Sequence, residues 1–193
     1  RGLGDVYKRQ LIRITVKNFG TRISVRRLHG MLQAMGIKLS KTKVHEYFSY
    51  LEDIGFIIPL RKFSYSEIES SRSKPKNYLI DTGFPTVYGI KDLVRRMENI
   101  VAVELLRRKY YTNPRLEVHY YMGKSNREVD FVVSEGFAVK ELIQVCYDVG
   151  DYTTKKREVD ALMEASKHLN CRDLTVITWD YEEHGDVKYI PLW

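Results

Sequence analysis

Two short apolar runs, each interrupted by one polar residue, constrain the fold of this chain more than any other feature. Residues 128–133 read EVDFVV and residues 142–146 read LIQVC. Their length and their β-branched content predict buried strands. A polar side chain inside a buried strand is costly unless it is hydrogen-bonded or binds a ligand. The polar residues of the two runs, Asp130 and Gln144, are therefore candidate site residues.

The elements around these runs predict an α/β domain over residues 89–193. A long helical pattern over 91–111 ends before Asn113 and Pro114, which break it. A second helix begins at Thr153 or Thr154 and continues to residue 168. The predicted strands are 116–122, 128–133, 141–147, 174–179 and 187–192. The order helix, three strands, helix, strand indicates a mixed sheet flanked by helices.

Residues 11–88 have a different pattern, which predicts a winged helix-turn-helix domain. Ser24 and Ser40 each precede an amphipathic run and are predicted N-caps. The predicted helices are 11–19, 24–35 and 40–54, and the predicted strands are 56–60 and 77–80. The segment 63–76 is polar and rich in serine and lysine, as expected for a loop or the tip of a wing. Three helices followed by a two-stranded hairpin are typical of a winged helix.

The first ten residues, RGLGDVYKRQ, resemble a translated sequencing-adaptor tail of the kind that contaminates metagenomic gene predictions. We expect residues 1–10 to be a non-native leader and exclude them from the fold prediction. On this interpretation the natural protein continues upstream, and the chain is a C-terminal part of it. The alternative interpretation is the ordinary start of a helix.

Charge is unevenly distributed along the chain. Residues 1–76 contain 16 Lys and Arg against 6 Asp and Glu, a net charge of +10, whereas residues 77–193 contain 16 against 19, a net charge of −3. A strongly basic helix-turn-helix domain favours duplex DNA as its partner. The candidate DNA-binding residues are Arg26, Arg27, Lys41, Lys43, Arg61 and Lys62. The alternative is a winged helix that binds protein and is merely solubilised by these side chains.

Composition argues against membrane insertion and against a disulfide scaffold. No apolar run approaches the roughly 20 residues that span a bilayer, and no signal peptide is recognisable. Hydrophobic residues make up 44% of the chain, enough for a substantial core. The two cysteines, Cys146 and Cys171, lie in or beside apolar runs. A reduced, cytoplasmic protein is the simplest expectation.

Three motifs together resemble one known family. Residues 98–108 read ENIVAVELLRR, residues 127–131 read REVDF and residues 142–148 read LIQVCYD. They resemble the C-terminal part of a family of prokaryotic AAA-type ATPases, a part called the DUF4143 or DUF234-like region. The resemblance covers about residues 11–193. It implies a winged helix followed by a PD-(D/E)XK, or restriction-endonuclease-like, domain.

The same resemblance implies an upstream ATPase domain as a partner in the full-length protein. The chain itself lacks the sequence G-x-x-x-x-G-K-[ST] of a phosphate-binding loop. We therefore expect no ATP site within it.

In the PD-(D/E)XK family a strand Asp and a strand Glu hold a divalent metal, and a Lys two residues after the Glu assists the chemistry. The resemblance implies Asp130 as one ligand and Glu104, on the preceding helix, as another, with weak affinity for Mg²⁺ or Mn²⁺. Gln144 stands where the strand Glu is expected, and Cys146 stands where the Lys is expected. Neither side chain brings the charge that the chemistry uses. We expect a degenerate site with little or no DNA cleavage.

The missing lysine has candidate replacements at Lys155 and Lys156, near the start of the next helix. The alternative for these two residues is a solvated basic helix start. The alternative for Asp130 and Glu104 is a structural, hydrogen-bonded pair or a buried contact to Arg127. For the whole chain we expect the DNA-binding and nuclease-like part of an ATPase. The alternatives are a non-catalytic module that regulates or oligomerises that ATPase, and an active Mg²⁺-dependent DNA endonuclease.

Overall fold

The computed structural model describes residues 3–150 and 152–193. Contacts divide the chain into two compact units. The first unit contains the described residues up to Leu60 together with Lys74–Asp92, and the second contains Arg61–Ser73 and Leu93–Trp193. The sequence pattern places a single boundary after residue 88. The main difference is the segment Arg61–Ser73, which belongs with the second unit.

The described residues form helices and strands that alternate along the chain without a repeating unit. Along the chain they are α1 (Leu3–Lys17), β1 (Thr21–Arg22), α2 (Val25–Ala34), α3 (Lys41–Asp53), β2 (Ile57–Leu60), α4 (Glu67–Arg72), β3 (Lys76–Leu79), α5 (Gly83–Val87), α6 (Leu93–Tyr111), β4 (Leu116–Met122), β5 (Glu128–Glu135), β6 (Ala138–Cys146), α7 (Tyr152–Leu169), β7 (Leu174–Thr178) and β8 (Lys188–Pro191). Within the described residues, none of the helices combines the length and the apolar character that crossing a bilayer requires. The cytoplasmic location stays a prediction.

The first unit combines helices α1, α2 and α3 with a small antiparallel sheet. Strand β3 lies between β1 and β2 and pairs with both. The Ser24 hydroxyl accepts a hydrogen bond from the Arg27 N–H at 3.3 Å, and the Ser40 hydroxyl accepts one from the Lys43 N–H at 3.2 Å. Both predicted N-caps are therefore confirmed. The apolar faces of the helices meet in one core, which includes Leu11, Leu28, Leu32, Val44 and Phe48.

Two sequence-based assignments in this part of the chain are wrong, and one strand is missing from the prediction. The first helix runs over Leu3–Lys17 rather than 11–19. Strand β1 escapes prediction because two residues are too few to show alternation. The segment 63–76 is not all loop, since it contains α4, where the Ser66 hydroxyl accepts a hydrogen bond from the Glu69 N–H at 3.4 Å. The leader over residues 1–10 stays a prediction, and residues 1 and 2 lie outside the described residues.

A five-stranded mixed sheet forms the centre of the second unit. Its order is β4-β5-β6-β7-β8, with antiparallel pairing from β4 to β6 and parallel pairing from β6 to β8. Successive strand residues point to opposite faces. Helix α7 packs on the face that carries Leu142, and α6 lies on the face that carries Ile143. The predicted α/β class, with helices flanking a mixed sheet, is confirmed.

The segment 61–63 lies beside β4, at one edge of this sheet. The Phe63 N–H donates to the Tyr120 carbonyl at 2.7 Å, and the Tyr120 N–H donates to the Arg61 carbonyl at 3.1 Å. The Phe63 side chain is buried in the same hydrophobic cluster as Tyr121 and Val129. An uncovered edge strand invites pairing with other chains. The segment therefore covers part of this edge, which explains why it belongs with the second unit.

Candidate functional site

Asp130 and Gln144 lie opposite each other on β5 and β6, as the pairing of Phe131 with Ile143 requires. The Asp130 N–H donates to Gln144 Oε1 at 3.2 Å, and the Val145 N–H donates to Asp130 Oδ2 at 3.0 Å. Both polar side chains are buried. The structure thus brings these two candidate residues together. Each of them serves as a hydrogen-bond acceptor for the strand that carries the other.

A third residue, Glu158 on α7, completes this arrangement and was not among the predicted site residues. Gln144 Nε2 donates to Glu158 Oε2 at 2.5 Å. Arg157 Nη2 donates to the other carboxylate oxygen at 2.6 Å. A sequence signal for Glu158 does exist, because it precedes the buried Leu162 by four residues and so lies on the apolar face of α7.

The pocket beside this network measures about 290 Å³. It is lined by Asn126, Arg127, Glu128, Gln144, Arg157, Glu158 and Ala161. Two arginines and two glutamates leave the lining with no net formal charge. Arg127 also lies 3.7 Å from the carboxylates of Asp160 and Glu164. The pocket therefore does not concentrate the negative charge that would attract a divalent cation.

Cys146 occupies the position where the resemblance calls for a lysine. Its side chain is buried, and its Sγ lies 3.3 Å from the Asp148 carbonyl. Burial, followed by the nearby Glu158 carboxylate, raises the pKa of the Cys146 thiol. The thiol is therefore neutral at pH 7 and offers no cation to a phosphate.

Glu104 has surroundings different from those of Asp130. Its carboxylate lies 2.9 Å from Arg107 Nε and 3.6 Å from Arg108 Nε on the same helix, and its side chain is 43% exposed. It lines a pocket on the α6 face of the sheet, together with Glu141. The described contacts thus do not bring Glu104 and Asp130 together.

A divalent metal does not fit the residues that are present. Asp130 accepts from Val145, and Gln144 is held between Asp130 and Glu158. In the part of the chain that the structure describes, no group of three or more His, Cys, Asp or Glu side chains is arranged to hold a metal ion. Binding of Mg²⁺ or Mn²⁺ by Asp130 and Glu104 stays a prediction, and no chemical step is routed through it.

The two candidate replacement lysines do not contact this network in the described structure. Lys155 Nζ lies 3.4 Å from Glu183, and it lies 4.8 and 4.5 Å from the ring centres of Tyr181 and Tyr189. These contacts direct the ammonium toward β8 and the loop before it. Lys156 is exposed on the same turn of α7.

The predicted DNA-binding residues fall into two groups. Arg26, Arg27, Lys41 and Lys43 are exposed in the first turns of α2 and α3. Lys43 forms an ion pair with Glu46 at 2.8 Å, and this hydrogen bond raises the pKa of Lys43. Arg61 and Lys62 belong instead to the second unit. There Arg61 Nη1 donates to the Ser71 carbonyl at 3.2 Å, and Lys62 Nζ lies 2.7 Å from Glu69.

Comparison with known families matches each unit to a domain without an assigned function. Residues 7–91 match the family described as domain of unknown function DUF8612. Residues 95–144 match the family described as domain of unknown function DUF4143. The second match runs from α6 to Gln144, and it confirms the DUF4143 part of the resemblance that the motifs indicate.

A curated relative matches most of the chain. The uncharacterized protein MJ1544 of Methanocaldococcus jannaschii is 32% identical over 195 aligned positions, which cover 93% of this chain. The chain spans 42% of the length of that relative. No solved structure matches the chain significantly.

Proposed function

We propose that this chain binds duplex DNA through a winged helix and joins it to a nuclease-like domain whose site is structural rather than catalytic. The observation that carries the proposal is the placement of four basic residues on the first turns of α2 and α3, both capped by serine. In helix-turn-helix proteins the start of the second helix of this pair meets the major groove and the flanking turns meet phosphates.

The arrangement of the first unit supports this interpretation. Apart from α5, which follows β3, its elements are in the order α1, β1, α2, α3, β2, β3, and β3 lies between the other two strands. That is the order of a winged helix. Of the four basic residues, Arg26, Arg27 and Lys41 have no described ion pair, so they are the better candidates for phosphate contacts.

The second unit supports the nuclease-like part of the proposal. From Leu93 on, a helix, three antiparallel strands, a second helix and two parallel strands follow one another, with Asp130 in the second strand and Gln144 near the end of the third. Gln144 and Cys146 stand where the nuclease pattern has charged residues. Gln144 is hydrogen-bonded to Glu158, and Cys146 to the Asp148 carbonyl, which favours a domain that does not hydrolyse DNA. We propose further that an AAA-type ATPase domain accompanies this region in the full-length protein.

A protein-binding role for the winged helix is the second candidate, because α3 also displays apolar and acidic groups. Tyr50 and Ile54 are 54% and 74% exposed at the end of α3. The helix carries Lys41 and Lys43 against three acidic residues. Such a surface fits a protein partner as well as it fits DNA.

A salt titration distinguishes the two candidates. Duplex binding measured by fluorescence anisotropy should weaken with salt, with a log–log slope of about −0.9 per phosphate contacted. The double substitution Arg26→Glu and Arg27→Glu should make that slope shallower by about 2 and weaken binding at about 50 mM salt by tenfold or more. The matched control, Lys167→Glu with Arg172→Glu, changes the same charge at exposed sites in the second unit and should bind like the unmodified chain. Absence of binding at low salt would remove DNA as the partner and leave the protein-binding role.

A further inference from the structure

A groove of about 330 Å³ lies on the face of the sheet that carries Ile143, between α6 and strands β7 and β8. Its apolar lining includes Val101, Leu105, Ile143, Ile177, Ile190 and Pro191. Ile100 and Ile190, at its rim, are 41% and 39% exposed. Contiguous apolar surface of this kind marks binding sites more often than scattered single residues do.

Three aromatic rings lie beyond the ends of β6, β7 and β8, and one of them, Trp193, follows the groove residue Leu192 in the chain. The ring centres of Tyr147 and Trp179 are 5.5 Å apart, and those of Trp179 and Trp193 are 4.9 Å apart. Tyr147 and Trp179 directly follow the paired residues Cys146 and Thr178 at the ends of β6 and β7. Trp179 and Trp193 are 38% and 71% exposed. We call the groove and these three rings together the aromatic groove. Tryptophan and tyrosine are among the residues that contribute most to binding at protein interfaces, so the rings indicate a binding surface.

The opposite end of the aromatic groove carries the carboxylate of Glu141. One oxygen accepts a hydrogen bond from Thr175 Oγ1 at 3.0 Å, while the other lies 4.0 Å from Arg108 Nη1. Arg108 is shared with Glu104, at 3.6 Å. Burial raises the pKa of Glu141, and the Thr175 hydrogen bond only partly offsets it. Arg108 is 4.0 Å from the Glu141 carboxylate, which is too far for a hydrogen bond. This partly buried carboxylate therefore favours the binding of a guanidinium or ammonium from a partner.

We propose that the aromatic groove binds an extended, apolar segment of a partner protein that carries one arginine or lysine. The apolar side chains of the segment pack on the groove and the rings, and its cation binds Glu141. Glu141 is on β6, and Tyr147, six residues further along the chain, directly follows the end of that strand; the span of about 20 Å suits about six extended residues. This activity is separate from DNA binding, because it uses only residues of the second unit.

The two tryptophans of the chain are both in the aromatic groove, so tryptophan emission reports its occupancy directly. The probe is the acetylated and amidated hexapeptide Arg-Ser-Leu-Ser-Leu-Ser, in which the arginine is at one end and shares a face of the extended chain with both leucines. Its control contains citrulline, an uncharged isostere, in place of arginine. We expect a saturable change in emission with the arginine peptide and binding about tenfold weaker with the citrulline peptide.

Variants of the full chain locate the site. Glu141→Gln keeps an acceptor for Thr175 but removes the charge, so it should bind both peptides with equal affinity. Glu117→Gln changes an exposed carboxylate on β4 outside the groove and should keep the difference between the peptides. Ile190→Asp charges the apolar rim and should weaken both peptides. Thermal melts of each variant are the control that tests whether the fold is retained.

Three outcomes would overturn the proposal. The first is an unchanged tryptophan emission at peptide concentrations of about 1 mM, the range of the weakest specific complexes. The second is equal binding of the arginine and citrulline peptides by the unmodified chain. The third is undiminished binding of both peptides by a folded Ile190→Asp variant.

Discussion

Replacing Gln144 with Glu tests the network between β5, β6 and α7 most directly. In the folded chain Gln144 Nε2 donates to Glu158 at 2.5 Å, and Gln144 Oε1 accepts from the Asp130 N–H at 3.2 Å. The substitution keeps an acceptor for Asp130 but replaces the donor with a second carboxylate. Glu158 is only 13% exposed, so solvent does little to screen the new repulsion.

The size of the expected loss in unfolding free energy follows from the hydrogen bond that Gln144→Glu removes and the charge that it adds. Losing a hydrogen bond to a charged group costs about 1.5–3 kcal/mol. Two carboxylates about 4 Å apart repel each other by about 4 kcal/mol at an effective dielectric constant near 20. Uptake of one proton relieves this repulsion, and at pH 7 it costs about 3.7 kcal/mol for an ordinary glutamate. Arg157, 2.6 Å from Glu158, offsets part of the repulsion between the two carboxylates. We therefore expect a net destabilisation of about 2–4 kcal/mol.

The assay is urea unfolding followed by tryptophan emission, which reports on the second unit because Trp179 and Trp193 both belong to it. The loss of unfolding free energy in Gln144→Glu should be largest near pH 7, where both carboxyls are charged. It should shrink as the pH falls toward about 4.5, because mutual repulsion raises the pKa of the pair and one proton is taken up in the folded state. Asn170→Asp, the same change from amide to carboxylate at an exposed site in the second unit, should have little effect.

A second variant separates the hydrogen bond from a general intolerance of position 144. In the double variant Gln144→Glu with Glu158→Gln, the donor and the acceptor exchange places. We expect this variant to recover most of the lost stability, to within about 1 kcal/mol of the unmodified chain. A Gln144→Glu chain as stable as the original at pH 7, or a double variant no better than the single one, would refute the network.

Three further predictions concern other parts of the second unit. With Mg²⁺ or Mn²⁺ the chain should not cleave duplex DNA, and cleavage that disappears in Asp130→Ala would show an active site, with Lys156 the first replacement lysine to examine. Phe63→Ala should lower the unfolding free energy by about 3–5 kcal/mol, whereas Tyr65→Ala, at a half-exposed ring, should cost about 1 kcal/mol or less. Burial lowers the pKa of His119 below its ordinary 6.5, so the unfolded chain takes up a proton first as the pH falls, and stability drops below about pH 6.5. His119→Gln should remove that part of the pH dependence in denaturant titrations from pH 7 to pH 5.

Patterns that are local in sequence predicted most of the helices and strands. Ser24 and Ser40 cap their helices because a capping hydroxyl acts on an N–H three residues away. The strand runs around Asp130 and Gln144 stand out because buried strands need apolar residues on both faces. Strand β1 could not be predicted in this way, since two residues carry no period and form a strand only where β3 pairs with them.

Contacts between distant parts of the chain were harder to predict. The segment around Phe63 is polar enough to resemble a loop, and its place beside Tyr120 depends on pairing across 57 residues. Glu158 has no motif of its own, and only its position on the apolar face of α7 distinguishes it from an ordinary surface glutamate. The family pattern drew attention to Glu104 instead, whose arginine partners lie on the same helix and could have been anticipated from their spacing.

Gln144 and Cys146 depart from the nuclease pattern in ways that reinforce each other. A lysine in place of Cys146 would bring an ammonium into the hydrophobic cluster that holds Leu162 and Val176, where an unpaired charge is costly. A glutamate in place of Gln144 would face Glu158. Each substitution toward the pattern therefore opposes the packing of α7 on β6. Recovering nuclease chemistry would require changes in α7 as well as in the strand, which is why we expect this unit to bind partners rather than to hydrolyse DNA.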